Sequence, residues 1–137
     1  MSSKLNPYLT FIGKARSAME FYSSVFGGEL TLQTLKEANA SQSPEQDNLI
    51  MHGQLITPDG MTLMASDDPE SESESKNVSS AVTGEDETTL RGYYDKLADG
   101  ATVEVPFEAA PWGDIFGMLT DKFGVRWMIN AVKPKAS

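Results

Sequence analysis

Two stretches of the chain, Met19-Glu20-Phe21-Tyr22-Ser23-Ser24-Val25-Phe26-Gly27-Gly28 and Arg91-Gly92-Tyr93-Tyr94-Asp95-Lys96-Leu97-Ala98-Asp99-Gly100, align without gaps. Each carries an aromatic pair and stops on glycine, the residue that enters left-handed backbone without a Cβ penalty. Downstream the relation repeats. Asp59-Gly60-Met61-Thr62-Leu63-Met64-Ala65 lies against Phe123-Gly124-Val125-Arg126-Trp127-Met128-Ile129, in both cases a glycine turn feeding a strand with apolar residues at matching positions. Order and spacing agree across both pairs, so the chain reads as an internal duplication.

Around these anchors the elements follow from periodicity. Ala15, Ala18, Met19, Tyr22, Val25 and Phe26 recur at helical spacing and predict a helix from about Ala15 to Phe26, stopped by Gly27-Gly28. Leu90, Tyr93, Tyr94 and Leu97 predict a second helix from about Glu87 to Ala98, with Asp86 as its N-cap and Gly100 as its terminator. Gly92 costs that helix about 1 kcal/mol relative to Ala. Short β-branched or aromatic runs bounded by turn residues predict strands at Leu5–Phe11, Glu29–Leu35, Leu49–Ile56 and Thr62–Ser66 in the first half. In the second half they fall at Val78–Thr83, Ala101–Phe107, Ile115–Thr120 and Arg126–Ala131. Pro58-Asp59-Gly60 and its counterpart Asp121-Lys122-Phe123-Gly124 are hairpin signals. Each half reads β-α-β-β-β. The expected fold is therefore α+β, one domain of two βαβββ modules at about 4–66 and 77–132, joined by an acidic linker at about 67–76. Lys36 to Asp47 forms a long excursion with room to cover a cavity.

Composition narrows the function classes. The 137 residues contain no cysteine, which excludes disulfides, thiolate metal sites and thiol nucleophiles. Twenty acidic against eleven basic residues give a net charge of -9, with no Lys/Arg cluster to neutralise a row of phosphates. Nucleic acid and anionic membranes are excluded as expected partners. No run of 18 apolar residues occurs, and the first thirteen residues hold one lysine and no long apolar stretch, so a cytoplasmic protein is expected. Much of the acidity sits in Asp67-Asp68-Pro69-Glu70-Ser71-Glu72-Ser73-Glu74-Ser75, read as a solvated loop.

Asn6-Pro7-Tyr8-Leu9-Thr10-Phe11, Met19-Glu20-Phe21-Tyr22 with Phe26-Gly27-Gly28-Glu29, and Leu63-Met64-Ala65-Ser66-Asp67 carry a family resemblance, as do Trp112-Gly113-Asp114-Ile115-Phe116-Gly117 and Asp121-Lys122-Phe123-Gly124-Val125-Arg126-Trp127-Met128-Ile129-Asn130. Together they resemble the PhnB-like branch of the vicinal oxygen chelate superfamily, which also holds glyoxalase I, bleomycin resistance proteins and extradiol dioxygenases. The resemblance implies two curled sheets forming a cupped mixed β-sheet around a cavity, and a homodimer. It also implies, in catalytic members, a divalent metal held by the first and last strands of each module. At those positions this chain has Pro7 or Tyr8, Ser79 or Ser80, Met64 and Met128. None is an imidazole or a carboxylate, and a thioether is too soft and neutral to replace a glutamate. No metal site of that type, and no cofactor, is expected.

Each remaining candidate has a structural role beside its functional one. His52 is the only histidine, and strict alternation through Leu49–Ile56 places it on the face of Ile50 and Gln54, with Leu49, Met51 and Leu55 on the other. It is a candidate acid–base group or simply a satisfied histidine. Trp112 and Asp114 are positioned either to stack on and hydrogen-bond a ligand or to pack on their own sheet. Trp127 alternates with Met128 and is expected in the core. Met64 and Met128, among seven methionines, suit an adaptable cavity wall, while Met19 and Met118 are expected as core filler. A methyltransferase label is attached to this branch, yet a nucleotide-bearing cofactor favours a glycine-rich strand-to-helix turn, and Gly27-Gly28 sits at a helix end instead.

The sequence thus predicts a protein that binds a small, largely apolar or aromatic molecule in a metal-free cavity, through Tyr8, His52, Met64, Trp112, Asp114, Met128 and Asn130. The alternatives are an enzyme using His52 as acid or base, with Asp114 or Asn130, and a metal site outside the superfamily positions.

Overall fold

The computed structural model describes residues 5–68 and 79–133, which fall into two compact units divided near residue 75. The first unit runs β1 (Tyr8–Phe11), α1 (Ala15–Phe26), β2 (Glu29–Thr34), a single 3-10 turn (Pro44–Gln46), β3 (Ile50–Ile56) and β4 (Thr62–Asp67). The second runs β5 (Ser79–Gly84), α2 (Glu87–Leu97), β6 (Thr102–Ala109), β7 (Ile115–Thr120) and β8 (Arg126–Ala131). Each is β-α-β-β-β, as the repeat predicts. Most of the acidic stretch and Val78 lie outside the described residues.

The sheets are built alike. In the first the order is β1-β4-β3-β2, and in the second β5-β8-β7-β6. The outer pair β1–β4 is parallel, as is β5–β8, and all other pairs are antiparallel. The turns match bond for bond. Thr57 N donates to Met61 O and Met61 N to Thr57 Oγ1, while Asp121 N donates to Val125 O and Val125 N to Asp121 Oδ1.

In the first unit Ala15, Ala18, Met19, Tyr22, Val25 and Phe26 bury the inner stripe of α1 among Phe11, Ile50, Leu55, Leu63 and Ala65. Gly27, at φ 74°, ends the helix with its N–H bonded to Ser23 O. In the second, Leu90, Tyr94 and Leu97 of α2 pack with Phe107, Leu119, Trp127 and Ile129. Gly117 permits that contact: a Cβ there would lie 2.7 Å from Tyr94 Cε2 and 2.9 Å from Phe107 Cα. Burying an aliphatic or aromatic side chain of this size contributes roughly 1.5–3 kcal/mol, so these clusters hold each unit together.

Three sequence expectations are corrected. Asp67, assigned to the solvated linker, is the last residue of β4 and only 7% exposed. Its Oδ1 accepts from Ala15 N and its Oδ2 from Ile50 N, both at 3.0 Å, so one carboxylate ties the start of α1 to the start of β3. Second, the register of β3 on β2 shifts between Gln33–His52 and Thr34–Ile50, leaving Met51 as an extra, exposed residue. That bulge breaks the alternation. Ile50 therefore faces α1 with Gly53 and Leu55, and His52 and Gln54 face the other way. Third, β8 pairs Met128 with Ala81, not with Ser79 or Ser80, and Ser80 lies beside Trp127 on the buried side.

The 35–49 excursion closes on itself. Leu35 N bonds Leu49 O, Lys36 N bonds Asp47 O, and Ser41 Oγ donates to Asp47 Oδ1. Edge strand β6 carries two register shifts, one around Glu104 and one around Pro106–Phe107.

Candidate functional site

Each sheet has one face covered by its helix and one face turned away from it, and the candidate residues collect on the latter. In the first sheet Tyr8 pairs with Met64, Met64 with Gln54, and Gln54 with Thr31. Residues directly paired across strands share a face, so Tyr8, Met64 and Gln54 form one row. His52, next to it and paired with Gln33, brings its ring centroid to 6.1 Å from that of Tyr8. The structure thus gathers Tyr8, His52 and Met64. The surface is mostly polar, with Thr10 and Ser66 completing it. His52 is half-buried and offers a donor or acceptor nitrogen to a bound molecule.

The second sheet places Met128, Asn130, Met118 and Phe116 on the face opposite α2, through the pairs Met118–Met128 and Phe116–Asn130. Met118 is half-buried beside Met128 rather than core filler, whereas Met19 is fully buried as expected. Trp112, on the turn closed by Ala110 N to Asp114 O, is 60% exposed and meets Phe116 edge-on at 5.3 Å. Asp114 is not held out for a ligand. Its Oδ2 accepts from Asn130 Nδ2 and its Oδ1 from Lys133 N, both at 3.1 Å. Asn130 Oδ1 is buried and has no hydrogen-bond partner.

Trp127 is core, as alternation predicts, with Nε1 donating to Asp121 Oδ2 at 2.8 Å. Sequence reasoning passed over Phe116. Its alternation with Gly117 and Leu119, both on the helix side, is the signal that aligns it with Met118.

Of the positions at which the resemblance implies a metal, Tyr8 pairs with Met64 in the first unit, and in the second the partner of Met128 is Ala81. Two thioethers, a phenol and a methyl group do not suit a divalent cation that wants imidazole or carboxylate. Among the described residues no three His, Asp or Glu side chains group as an alternative ligand set.

Residues 3–130 match the family model described as 3-demethylubiquinone-9 3-methyltransferase. Among solved structures, protein PA1353 from Pseudomonas aeruginosa is similar at 30% identity and TM-score 0.83, over 97% of this chain and 100% of that one. A putative 3-demethylubiquinone-9 3-methyltransferase, PhnB protein, from Bacillus cereus is 27% identical at TM-score 0.76, over 95% and 100%. A member of the glyoxalase/bleomycin resistance protein/dioxygenase superfamily from Sphaerobacter thermophilus DSM 20745 shares the fold at 16% identity and TM-score 0.57, over 96% and 100%.

The activity in the family's description calls for a nucleotide-bearing methyl donor, and the residues do not fit one. Helix N-termini are where such a cofactor would find free amides. The Ala15 amide of α1 is taken by Asp67, and the Thr88 and Thr89 amides of α2 by Asp86. Neither strand-to-helix turn has a glycine cluster: Gly13 stands alone in the first, and Glu85-Asp86 forms the second. The chain belongs to the family described as 3-demethylubiquinone-9 3-methyltransferase, and it shares the fold of the glyoxalase/bleomycin resistance protein/dioxygenase superfamily.

Proposed function

We propose that the chain binds a small, largely apolar or aromatic molecule without a divalent metal, acting by sequestration or sensing. The observation that carries this reading is Trp112. A large aromatic left 60% exposed and edge-on to Phe116, which shares a sheet face with the Met118–Met128 pair, is a surface suited to a flat apolar partner. Methionine adds adaptability, since its unbranched thioether refits around different shapes. Thermal-shift screening of the whole chain against a metabolite and antibiotic library tests the reading. Aromatic hits whose stabilisation is lost in Trp112→Ala support it, and hits indifferent to that change refute it. Elemental analysis of protein purified without chelator tests the metal-free part, which stoichiometric metal overturns.

A second reading, an enzyme using His52 as acid or base, is favoured by the placement of His52 beside Tyr8 on the helix-free face. A hit released chemically altered, with turnover lost and binding kept in His52→Ala, supports it over pure binding.

We also propose a cytoplasmic homodimer, on the strength of the superfamily resemblance; a monomer by light scattering overturns that assembly. None of the described helices is long and apolar enough to cross a membrane.

A further inference from the structure

We infer that the ligand carries a hydrogen-bond donor, a hydroxyl or N–H on a planar aromatic body, and that it donates to Asn130 Oδ1. The inference rests on the small-molecule reading above and names the chemical class that site selects. Amide orientation is ordinarily ambiguous, but here it is set by chemistry. Asp114, read as a carboxylate, only accepts, so the group 3.1 Å from its Oδ2 must be the Asn130 NH₂. Lys133 N holds the other carboxylate oxygen, so the anchor is itself fixed. Asn130 is thereby locked with its oxygen directed elsewhere, and that oxygen is buried without a partner.

A buried acceptor left unpaired is costly, and most in folded proteins are satisfied by protein, water or ligand. What lies next to it is aromatic. Phe116 is the cross-strand partner of Asn130, and Trp112 leans on Phe116. A flat ring seated against these two side chains brings a substituent near the sheet at Asn130. The substituent must be a donor, because a carbonyl, ether or carboxylate oxygen would face another oxygen. Reaching the site requires neighbouring side chains to give way, and Trp112, on its exposed turn, has room to do so.

Equilibrium dialysis of the full chain against 2-naphthol and 2-methoxynaphthalene tests the inference, since the two differ by a single O–H donor. Wild type is expected to bind 2-naphthol about 3- to 10-fold tighter, the worth of one neutral hydrogen bond, although the ether is the more apolar molecule. Asn130→Ala should bring the two within about twofold of each other, as expected once the hydrogen bond is gone. Trp112→Ala, at an exposed position, should weaken both equally and keep the preference. Asp114→Asn gives a partner that donates as well as accepts, which releases the Asn130 amide and should cut the preference. It serves as the deciding variant if Asn130→Ala does not fold. Equal binding to wild type, or a preference unchanged in Asn130→Ala or Asp114→Asn, overturns the donor assignment while leaving the binding reading intact. Absence of binding by either probe overturns both.

Discussion

Replacing Asp67 by alanine strips the acceptor from two buried amides, Ala15 N and Ile50 N, each at 3.0 Å. An orphaned buried donor costs about 1–3 kcal/mol, so the gross loss is about 2–6 kcal/mol. Part of that is returned because the carboxylate's own desolvation is relieved, which places the net near 2–4 kcal/mol. For a domain stable by about 5–15 kcal/mol this is a large fraction, equivalent to a melting-temperature drop on the order of 10 °C. Asp67→Asn should fare little better, because one of its two ends becomes an NH₂ pointing at another N–H. The neighbouring, exposed Asp68→Asn should stay within about 0.5 kcal/mol. Urea unfolding followed by near-ultraviolet circular dichroism measures these differences. Amide hydrogen exchange adds the specific signature, faster exchange at Ala15 and Ile50. An Asp67→Ala protein within about 0.5 kcal/mol of wild type, or with exchange unchanged at those amides, refutes the role given to this carboxylate.

Asp121, 4% exposed, accepts from Phe123 N, Val125 N and Trp127 Nε1. Asp121→Ala should cost about 3–5 kcal/mol and shift Trp127 emission to the red; an unshifted spectrum contradicts this. Gly117→Ala should cost about 1–3 kcal/mol by pressing a methyl group onto Tyr94 and Phe107, read by thermal unfolding. Asp86 is held below the ordinary aspartate value of 3.8, first by the Thr89 hydroxyl and then by the Thr89 and Thr88 amides. Its stabilisation is present above that value and lost as pH falls through the lower folded one. The melting-temperature gap between wild type and Asp86→Ala should therefore close in acid. Burial, and then the charge of Asp95, raises Tyr94 above 10.0, so its contribution holds below pH 10 and disappears as pH climbs through the folded value. Tyr94→Phe should lose about 1 kcal/mol with the Val105 carbonyl bond and should flatten that alkaline limb of the stability profile.

The parts of the fold legible in the sequence are those written locally. The limits of α1, β7 and β8 match their expected limits because helical spacing, a glycine stop and hairpin turns each act within a few residues. What was illegible depends on partners far along the chain. Asp67 looks like the first residue of an acidic run, and only donors 52 and 17 positions away make it structural. Ile50 parts from the face of His52 and Gln54 because a bulge at Met51 is decided by pairing with β2, which strict alternation does not contain. The counterpart of Tyr8 moved to Ala81 because the repeat is aligned through β8, not by counting from the helices. Of the site itself, Trp112, Asp114, Met128 and Asn130 were named from sequence. Their division of labour was not, since a carboxylate that positions an amide and one that meets a ligand are the same letter.

Among the described residues the outer rim of strand β6 pairs with no further strand, and Val103 and Val105 are exposed along it. A flat rim of that kind would invite another chain to add a strand. The two offsets in β6 and the missing N–H of Pro106 deny a newcomer a regular ladder. Irregularity there works as protection against aggregation, leaving the protein able to display apolar side chains without recruiting copies of itself into fibres.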